Sequence, residues 1–379
     1  MAAETGATIA RFFTPGLAQV AYLVADEAAG VAAVIDPRRD VAAYLDWTAV
    51  RRLRITAILE TLIHADFVSG ARELAAATGA PIHTGTLGNQ EFPHEPLGDG
   101  DEVPVGAVRL RALWTPGHTP EHLAYLLLDP ATGPGPRALF SGDALFVGEV
   151  GRPDLLGARE TRGLAEQLFH TVTERLGRLP DDLVVYPGHT AGSACGKKIG
   201  DAPHTTIGQE KLTNYAFQSR CEDRFVELVL TGMPAPPTYY AVLKRVNTAG
   251  PPLVYALPGA DPLTPAEVAR RIAGGALVID TRSSAAFGRE HLPGAVFAGL
   301  GPNFAAWLGW LAPYDRDLIL VLETDTDLAT ARTELRRSGL DRLVGYLAGG
   351  SPSGKRRGGG RDPAAVDRRR ATGASAAWG

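Results

Sequence analysis

The chain has 379 residues, of which 45% are hydrophobic, and its formal net charge is -4 at pH 7. This length exceeds one ordinary domain and indicates two. The small net charge offers no field that would hold nucleic acid or an anionic membrane, and no apolar run approaches the roughly 20 residues that cross a bilayer. The two cysteines, Cys195 and Cys221, exclude a disulfide framework. The N-terminus lacks the basic start and apolar block of an export signal, so we expect a cytoplasmic protein. The small net charge favours small molecules as its partners.

The first part of the chain, residues 1–231, alternates strand-like and helix-like segments. The strand-like runs are QVAYLVA, GVAAVIDP, ITAILE, VRLRALW, HLAYLLL, RALFSGD and LVVYPGH. Helix-like segments lie near 40–52, in VSGARELAAATG and near 161–177. Several strands are followed by polar residues of the metal-ligand type, and loops that leave a rigid sheet often carry functional side chains. We therefore expect an α/β domain with its functional residues at strand ends.

A second unit follows a change in composition. Residues 232–262 contain GMPAPP, GPP and PGADP, which predict an irregular connector without regular helix or central strand. Then LTPAEVARRIAGG predicts a capped helix, ALVIDTR and DLILVLE predict strands, and DLATARTELRRSG predicts a second helix, giving a small βα domain over 263–350. The Gly/Arg-rich residues 351–379 have little to fill a core and are predicted to be disordered, with a shifted reading frame as an alternative origin.

Five residues of metal-ligand type follow predicted strands. His64 and Asp66 lie in TLIHADFVSG, His118 in TPGHTPEH, Asp143 in LFSGDALF and His189 in YPGHTAGSACGK. Taken singly, each is typical of a structural histidine or of an aspartate that caps a turn. Their order and flanking strings together resemble the metallo-β-lactamase superfamily, whose metal loop reads T-H-x-H-x-D-H. That resemblance implies an αββα sandwich.

Two ligand positions of that loop are altered: Leu62 and Phe67 stand where the superfamily has its first and last histidines. Within the superfamily, HADFVSGARELA, LFSGDALFVGEVGRPDL and TTIGQEKLTN resemble the persulfide dioxygenases, over roughly residues 8–230. The resemblance implies one Fe(II) held by two histidines and an aspartate. It also implies that O₂ oxidises the terminal sulfur of a low-molecular-weight thiol persulfide to sulfite.

A face of two histidines and one carboxylate leaves open positions on an oxidisable metal where persulfide and O₂ can bind. The family triad falls on Leu62, His118 and Asp143, so one ligand has become an alkyl group. We predict that His64 replaces it, giving His64, His118 and Asp143 as the residual site. Asp66 and His189 are then remnants of a second site. Iron is the expected metal and zinc the alternative, while a homodimer is one option for the assembly.

Three further residues are candidates for binding substrate. Cys195 lies in a Gly-rich loop before Lys197 and Lys198, whose charge would favour its thiolate and suit it to accept a persulfide. A small buried side chain is the alternative interpretation. Arg152 in GEVGRPD would steer a substrate carboxylate, or else hold its own loop through an ion pair.

The second unit resembles the rhodanese (sulfurtransferase) domain. The family pattern D-x-R…F…H-x-P-G-A falls on Asp280, Arg282, Phe287, His291 and Gly294. A working rhodanese needs a cysteine in the loop after its central strand, where backbone N–H groups stabilise the thiolate. That loop reads LETDTD, with Glu323 or Thr324 at the cysteine position, and both cysteines of the chain lie elsewhere. We therefore expect no rhodanese catalytic residue and a packing or docking role.

Three functions remain open at this point. The first is a persulfide dioxygenase-type oxidoreductase with a degenerate metal loop. The second is a catalytically inactive relative that binds persulfides or regulates a partner protein. The third is a zinc thioester hydrolase of the glyoxalase II type, which depends on the histidines lost at Leu62 and Phe67.

Overall fold

A computed structural model describes residues 6–347 of the chain. Two six-stranded sheets and seven helices form its first part. The strands of the first sheet are β1 Thr8–Thr14, β2 Gln19–Asp26, β3 Val31–Ile35, β4 Arg54–Leu59, β5 Ile82–Gly85 and β6 Glu95–Leu97. Those of the second sheet are β7 Glu102–Val105, β8 Val108–Trp114, β9 Leu123–Leu128, β10 Pro136–Gly142, β11 Val184–Pro187 and β12 Thr205–Thr206. The helices are α1 Ala42–Arg51, α2 Ala71–Thr78, α3 Ala158–His170, α4 Ile207–Thr213, α5 Tyr215–Gln218, α6 Glu222–Leu230 and α7 Tyr240–Ala249.

The two sheets pack face to face with helices on both outer sides. Strand β8 alternates buried and exposed residues at Val108, Arg109, Leu110 and Arg111, as a strand with one face in a core must do. Its buried positions join side chains of both sheets in one cluster between them. A second cluster joins the first sheet to α1 and α2, and a third joins the second sheet to α3, α5 and α6. The predicted αββα sandwich is confirmed.

The order of the second sheet brings several strand ends to one edge. Strands β8 and β10 both run antiparallel to β9, and β11 runs parallel to β10. The carboxyl ends of β8, β10 and β11 therefore lie at the same edge as the start of β9. The segments that follow these strands carry His118, Asp143 and His189, so the topology itself gathers them.

The second unit is a five-stranded parallel sheet with helices on both faces. Its strands are β13 Asp261–Leu263, β14 Leu277–Asp280, β15 Val296–Phe297, β16 Leu318–Val321 and β17 Leu343–Leu347, in the order β13-β17-β16-β14-β15. Its helices are α8 Pro265–Ala273, α9 Ser284–Arg289, α10 Phe304–Leu311 and α11 Leu328–Arg337. The predicted cap of α8 is present as a capping box between Thr264 and Glu267.

The two units are joined by buried polar contacts. Arg39, which is 2% exposed, donates to Asp341 Oδ1 at 2.6 Å and to the carbonyl oxygens of Arg336 and Pro252. Arg337 of α11 forms a two-pronged ion pair with Asp40 at 2.6 and 2.7 Å. The two units are therefore in direct contact through two arginine–aspartate ion pairs.

The expectation of a wholly irregular connector over 232–262 is wrong. Helix α7 occupies ten of these residues, with Tyr240, Leu243 and Asn247 buried. The prolines and glycines flank the helix and do not interrupt it, so the composition of the whole segment concealed an amphipathic core. The predicted boundaries at 231 and 262 stay predictions. The tail at 351–379 lies outside the described residues. No helix within 6–347 combines the length and hydropathy needed to span a bilayer.

Candidate metal centre

His118 is oriented by a backbone carbonyl. Its Nδ1–H donates to the carbonyl oxygen of Arg152 at 2.8 Å, which leaves Nε2 with a lone pair. Nε2 lies 3.4 Å from Asp143 Oδ2 without hydrogen-bond geometry. Burial lowers the pKa of His118 and outweighs the nearby charge of Asp143, which raises it. A neutral imidazole with a free Nε2 is the form in which histidine ligates a metal.

Only one of the two carboxylate oxygens of Asp143 has a hydrogen-bond partner among the described residues. Oδ1 accepts from His189 Nδ1 at 2.7 Å, whereas Oδ2 has no hydrogen-bond partner within the described part of the chain. Burial raises the pKa of Asp143, but the charge and hydrogen bond of His189 outweigh it and hold that pKa below its usual range. The carboxylate is therefore ionised, with a free oxygen directed toward His118.

His189 bridges two carboxylates. Its Nδ1 and Nε2 each lie 2.7 Å from a carboxylate oxygen, of Asp143 and Asp66 respectively. Burial lowers the pKa of His189, but the two carboxylates outweigh it and raise that pKa well above its usual value. Both ring nitrogens then donate hydrogen bonds, and the positive charge of the imidazolium stabilises the two carboxylates.

His64 lies in a different cluster from His118 and Asp143. Its Nε2 is 3.1 Å from Asp36 Oδ1, and its ring centroid is 4.5 Å from that of Phe67. Burial lowers the pKa of His64, but Asp36 outweighs it and raises that pKa to about 9. The structure does not bring the predicted set of His64, His118 and Asp143 together, because Asp36 attracts the imidazole. That set stays a prediction that requires His64 to leave Asp36.

Three groups of converging donors occur within residues 6–347, their ligand atoms within 4.8 Å of one another. They are Asp66–His189–Cys195, His118–Asp143–Cys195 and Asp36–Glu60–His64. Cys195 belongs to two of them, so its sulfur lies at the junction of both histidine–aspartate pairs.

The expected thiolate at Cys195 is not what the surroundings favour. Burial, together with the charges of Asp143 and Asp66, raises the pKa of the thiol well above its usual value. Lys197 cannot oppose this, because its ammonium donates to the carbonyl oxygens of Leu228 and Thr231. The lysine therefore ties its loop to α6 and is not directed at substrate.

Arg152 also has a structural position. Its side chain is fully buried; it pairs with Asp154 at 2.7 and 2.8 Å and donates to the carbonyl oxygens of Ala194 and Pro234. With its donors used inside the protein, Arg152 is not available to steer a substrate carboxylate. The alternative interpretation, that it holds its loop in place, agrees with these contacts.

The altered loop positions are filled by packing. Leu62 is 4% exposed, and Phe67 is completely buried in a small cluster with Leu17 and Ala305 of α10. Phe67 therefore replaces a metal-ligating side chain by an apolar contact with the second unit. This side of the centre is buried and apolar, and it has fewer donors than the superfamily pattern.

Sequence reasoning missed several buried polar residues around the centre. Asp36 accepts from the N–H and hydroxyl of Thr61 at 2.7 and 2.8 Å, and His122 Nε2 accepts from the Asp143 N–H at 3.0 Å. Burial raises the pKa of Glu60 to about 8 and lowers that of His122 to about 3. Asp36 and Glu60 each follow an apolar strand run, the signal already used for Asp143, so that rule applied throughout would have found them.

The rhodanese-like loop offers different chemistry. Glu323 is exposed after β16 and accepts from the N–H of Ser283 at 3.2 Å, while Asp280 forms an ion pair with Arg282 at 2.7 Å. A carboxylate in this position has no sulfur to transfer. The prediction of no rhodanese catalytic residue stays a prediction based on the sequence.

Comparisons with known proteins identify both units. Residues 14–189 match the metallo-beta-lactamase superfamily, and residues 264–356 match the rhodanese-like domain. A solved metallo-beta-lactamase from Staphylococcus aureus subsp. aureus COL is 35% identical, with a TM-score of 0.80 over 90% of this chain and 98% of its own. The chain belongs to the metallo-beta-lactamase superfamily. The predicted order, a superfamily sandwich followed by a rhodanese-like domain, is confirmed.

Curated relatives of this superfamily member include hydrolases and dioxygenases. Hydroxyacylglutathione hydrolase of Polaromonas sp. is 37% identical over 171 residues, which are 44% of this chain and 60% of the relative. The mitochondrial persulfide dioxygenase ETHE1 of Bos taurus is 29% identical over 224 residues, 58% of this chain and 79% of the relative. The chain spans 54–62% of the length of the curated hydroxyacylglutathione hydrolases and hydrolase-like proteins compared. The dioxygenase relatives support the predicted persulfide dioxygenase resemblance, and both groups support a superfamily hydrolase or oxidase.

Proposed function

We propose that this protein is a persulfide dioxygenase-like metalloenzyme that holds one iron ion on His118 and Asp143. The observation that carries the proposal is Asp143 Oδ2, which is buried without a hydrogen-bond partner among the described residues and lies 3.4 Å from Nε2 of His118. A buried carboxylate oxygen without a partner is costly, and a cation that it shares with the lone pair of His118 Nε2 would satisfy it.

The residues present fit a single metal better than a pair. A thiol and a second histidine–aspartate pair surround the free donors, since Cys195 converges on both pairs. Asp66 and His189 are hydrogen-bonded to each other at 2.7 Å, so a second ion would have to displace this contact. His118 and Asp143 would hold the ion with a third donor, either Cys195 after loss of its proton or His64 after it leaves Asp36.

A bound iron ion would supply redox-active coordination positions for a persulfide and O₂. The overall conversion is RSSH + O₂ + H₂O giving RSH and sulfurous acid, in which the terminal sulfur loses four electrons and O₂ gains them. The product is sulfite at neutral pH. The S–S bond breaks and the carrier is released as the free thiol; since O₂ takes up all four electrons, no reductant is needed.

The chain's own residues prepare this reaction. The Arg152 carbonyl holds His118 in the tautomer with a free Nε2, and His189 holds Asp143 through its other oxygen. The side chains of His118, Asp143 and His189 are at most 1% exposed, which excludes bulk water from the site. The Tyr240 hydroxyl lies 3.8 Å from Cys195 Sγ, so a polar proton carrier is available beside the thiol.

Metal analysis with oxygen consumption tests the proposal. Protein loaded anaerobically with Fe(II) is expected to retain near one iron per chain and to consume O₂ with glutathione persulfide, releasing sulfite. His118→Ala should lose both iron and activity. Failure of the wild-type protein to retain iron, or retention without sulfite production, contradicts the proposal.

A non-catalytic relative is the second candidate function, and the loop carries its support. Leu62 and Phe67 remove two ligands, and His64 is engaged by Asp36. Persulfide binding without O₂ consumption would favour this candidate.

A zinc thioester hydrolase is the third candidate function, supported by the survival of Asp66 and His189. Hydrolysis of S-lactoylglutathione by zinc-loaded protein would favour it.

A further inference from the structure

The metal loop is irregular along most of its length. Residues 61–70 join β4 to α2 without forming a helix or a strand of either sheet, and all ten are buried. A buried loop of this kind cannot rely on water for its backbone N–H and C=O groups, so each needs a partner elsewhere in the protein. The location of those partners determines what holds His64 and Asp66 in place.

One side chain supplies three of these partners. Asn247 of α7, which is 5% exposed, donates from Nδ2 to the carbonyl oxygens of His64 and Phe67, both at 2.8 Å. Its Oδ1 accepts from the N–H of Ser69 at 3.0 Å. The partners fix the amide orientation, because two carbonyls require donors and one N–H requires an acceptor.

The second unit supplies a further partner to the same loop. The N–H of Val68 donates to the carbonyl oxygen of Arg337, the last residue of α11, at 2.8 Å. The Arg337 side chain is itself fixed by its ion pair with Asp40. The loop that carries His64 and Asp66 is thus held by α7 and α11 at residues 64, 67, 68 and 69.

We infer that Asn247 is a positioning residue for the metal centre, and that helix α7 and the rhodanese-like unit brace the metal loop in place of its lost ligands. The inference rests on the proposed function, since it concerns the same centre. A metal with all its histidines would itself hold such a loop. With Leu62 and Phe67 in the loop, that constraint is weaker, and hydrogen bonds from α7 and α11 take its place.

Loss of the brace should act on the centre through Asp66 and His64. Removing the Asn247 side chain leaves two carbonyls and one N–H buried without partners, and the loop relaxes to satisfy them. Asp66 then shifts relative to His189, and through His189 the change reaches Asp143. Disruption of such supporting contacts typically lowers metal affinity by about 10–100-fold.

Asn247→Ala and Asn247→Asp test the inference, with Asn214→Ala as the matched control. The alanine variant leaves a cavity, whereas the aspartate variant keeps the volume and the acceptor of the native side chain. Asn247→Asp instead places a carboxylate oxygen against two carbonyl oxygens, so any effect that it has comes from the lost donor. Asn214 is also fully buried, and its amide also makes three hydrogen bonds, to Glu149, Glu210 and Ala216. None of these partners lies in the metal loop.

Two measurements are needed. Hydrogen exchange of the Val68 and Ser69 amides in metal-free protein should accelerate at least about 10-fold in both Asn247 variants and stay unchanged in Asn214→Ala. Affinity for Co(II), followed by its visible absorption, should fall about 10–100-fold in the Asn247 variants alone.

Unchanged exchange and affinity in the Asn247 variants would overturn the inference. So would equal changes in Asn214→Ala, which would indicate a general loss of stability. The exchange measurement needs no metal, so it can support or overturn the brace even if wild-type protein retains no iron and the proposed function fails. Conversely, iron-dependent activity in the wild type, together with unchanged exchange and Co(II) affinity in the Asn247 variants, would support the proposed function and overturn the role of Asn247.

Discussion

His118 and Asp143 lie just beyond strands of the second sheet, whereas His64 and Asp66 lie in an irregular loop between β4 and α2. The strand-end half keeps its ligands and their supporting contacts, as the Arg152 carbonyl on His118 illustrates. The loop half has lost two ligands and gained apolar packing against α10. The comparison teaches that ligands mounted at sheet ends are oriented by nearby backbone groups, whereas an irregular loop needs partners from other parts of the chain.

The largest effect is expected from Phe67→Ala. This removes a completely buried ring that packs against Ala305 of the second unit, and such truncations cost about 3–5 kcal/mol of unfolding free energy. Phe225→Ala, in the separate core of the second sheet, should cost a similar amount. Hydrogen exchange distinguishes them, because only Phe67→Ala should loosen α10. Equal protection of α10 in both variants would contradict a contact between loop and second unit.

Asp143→Asn should reduce metal affinity more than about 100-fold, since loss of a direct ligand exceeds the cost of losing a supporting contact. Asp129→Asn is the control, because Asp129 is a buried aspartate after β9 at the opposite edge of the sheet. Both proteins should be titrated with Co(II) under identical conditions. Similar Co(II) affinities in the two variants would show that Asp143 is not a metal ligand. The strand-end half would then not have kept its ligands.

Leu62→His should sharpen the comparison by restoring an imidazole to the altered half. We expect metal affinity to rise about 10-fold, the inverse of the loss seen when a supporting group is removed. Leu62→Ile keeps the residue apolar and should leave the affinity unchanged. If oxygen uptake with glutathione persulfide stays absent despite tighter binding, the defect of the loop half extends beyond one ligand.

The smallest effect concerns the pH dependence of stability in metal-free protein. Burial raises the pKa of Glu60 to about 8 from 4.5, so the folded protein keeps this proton over a range where the unfolded chain has lost it. Unfolding free energy should therefore fall as the pH rises from 4.5 to about 8. Urea titrations should give a smaller fall for Glu60→Gln, which keeps an acceptor for Ser69. An equal fall would show that Glu60 is ionised in the folded protein.

Strands and helices in both units were predictable from local pattern. Strand β8 matches VRLRALW residue for residue, and α8 begins at the predicted cap. Helix α7 was not predicted, because prolines and glycines on both sides dominate the composition of 232–262. Its apolar residues Tyr240, Leu243 and Val246 recur at helical spacing, and that signal would have revealed it.

The sequence by itself determined the order of the two units and, through its resemblance to the metallo-β-lactamase superfamily, the αββα class and the candidate ligands, because motif order is a local property of the chain. Only the tertiary structure decided that His64 lies with Asp36, that Cys195 lies between both pairs, and that Arg152 and Lys197 hold loops. These outcomes depend on contacts between residues far apart in sequence, where competing charges and packing select one partner among several. No local pattern records that choice.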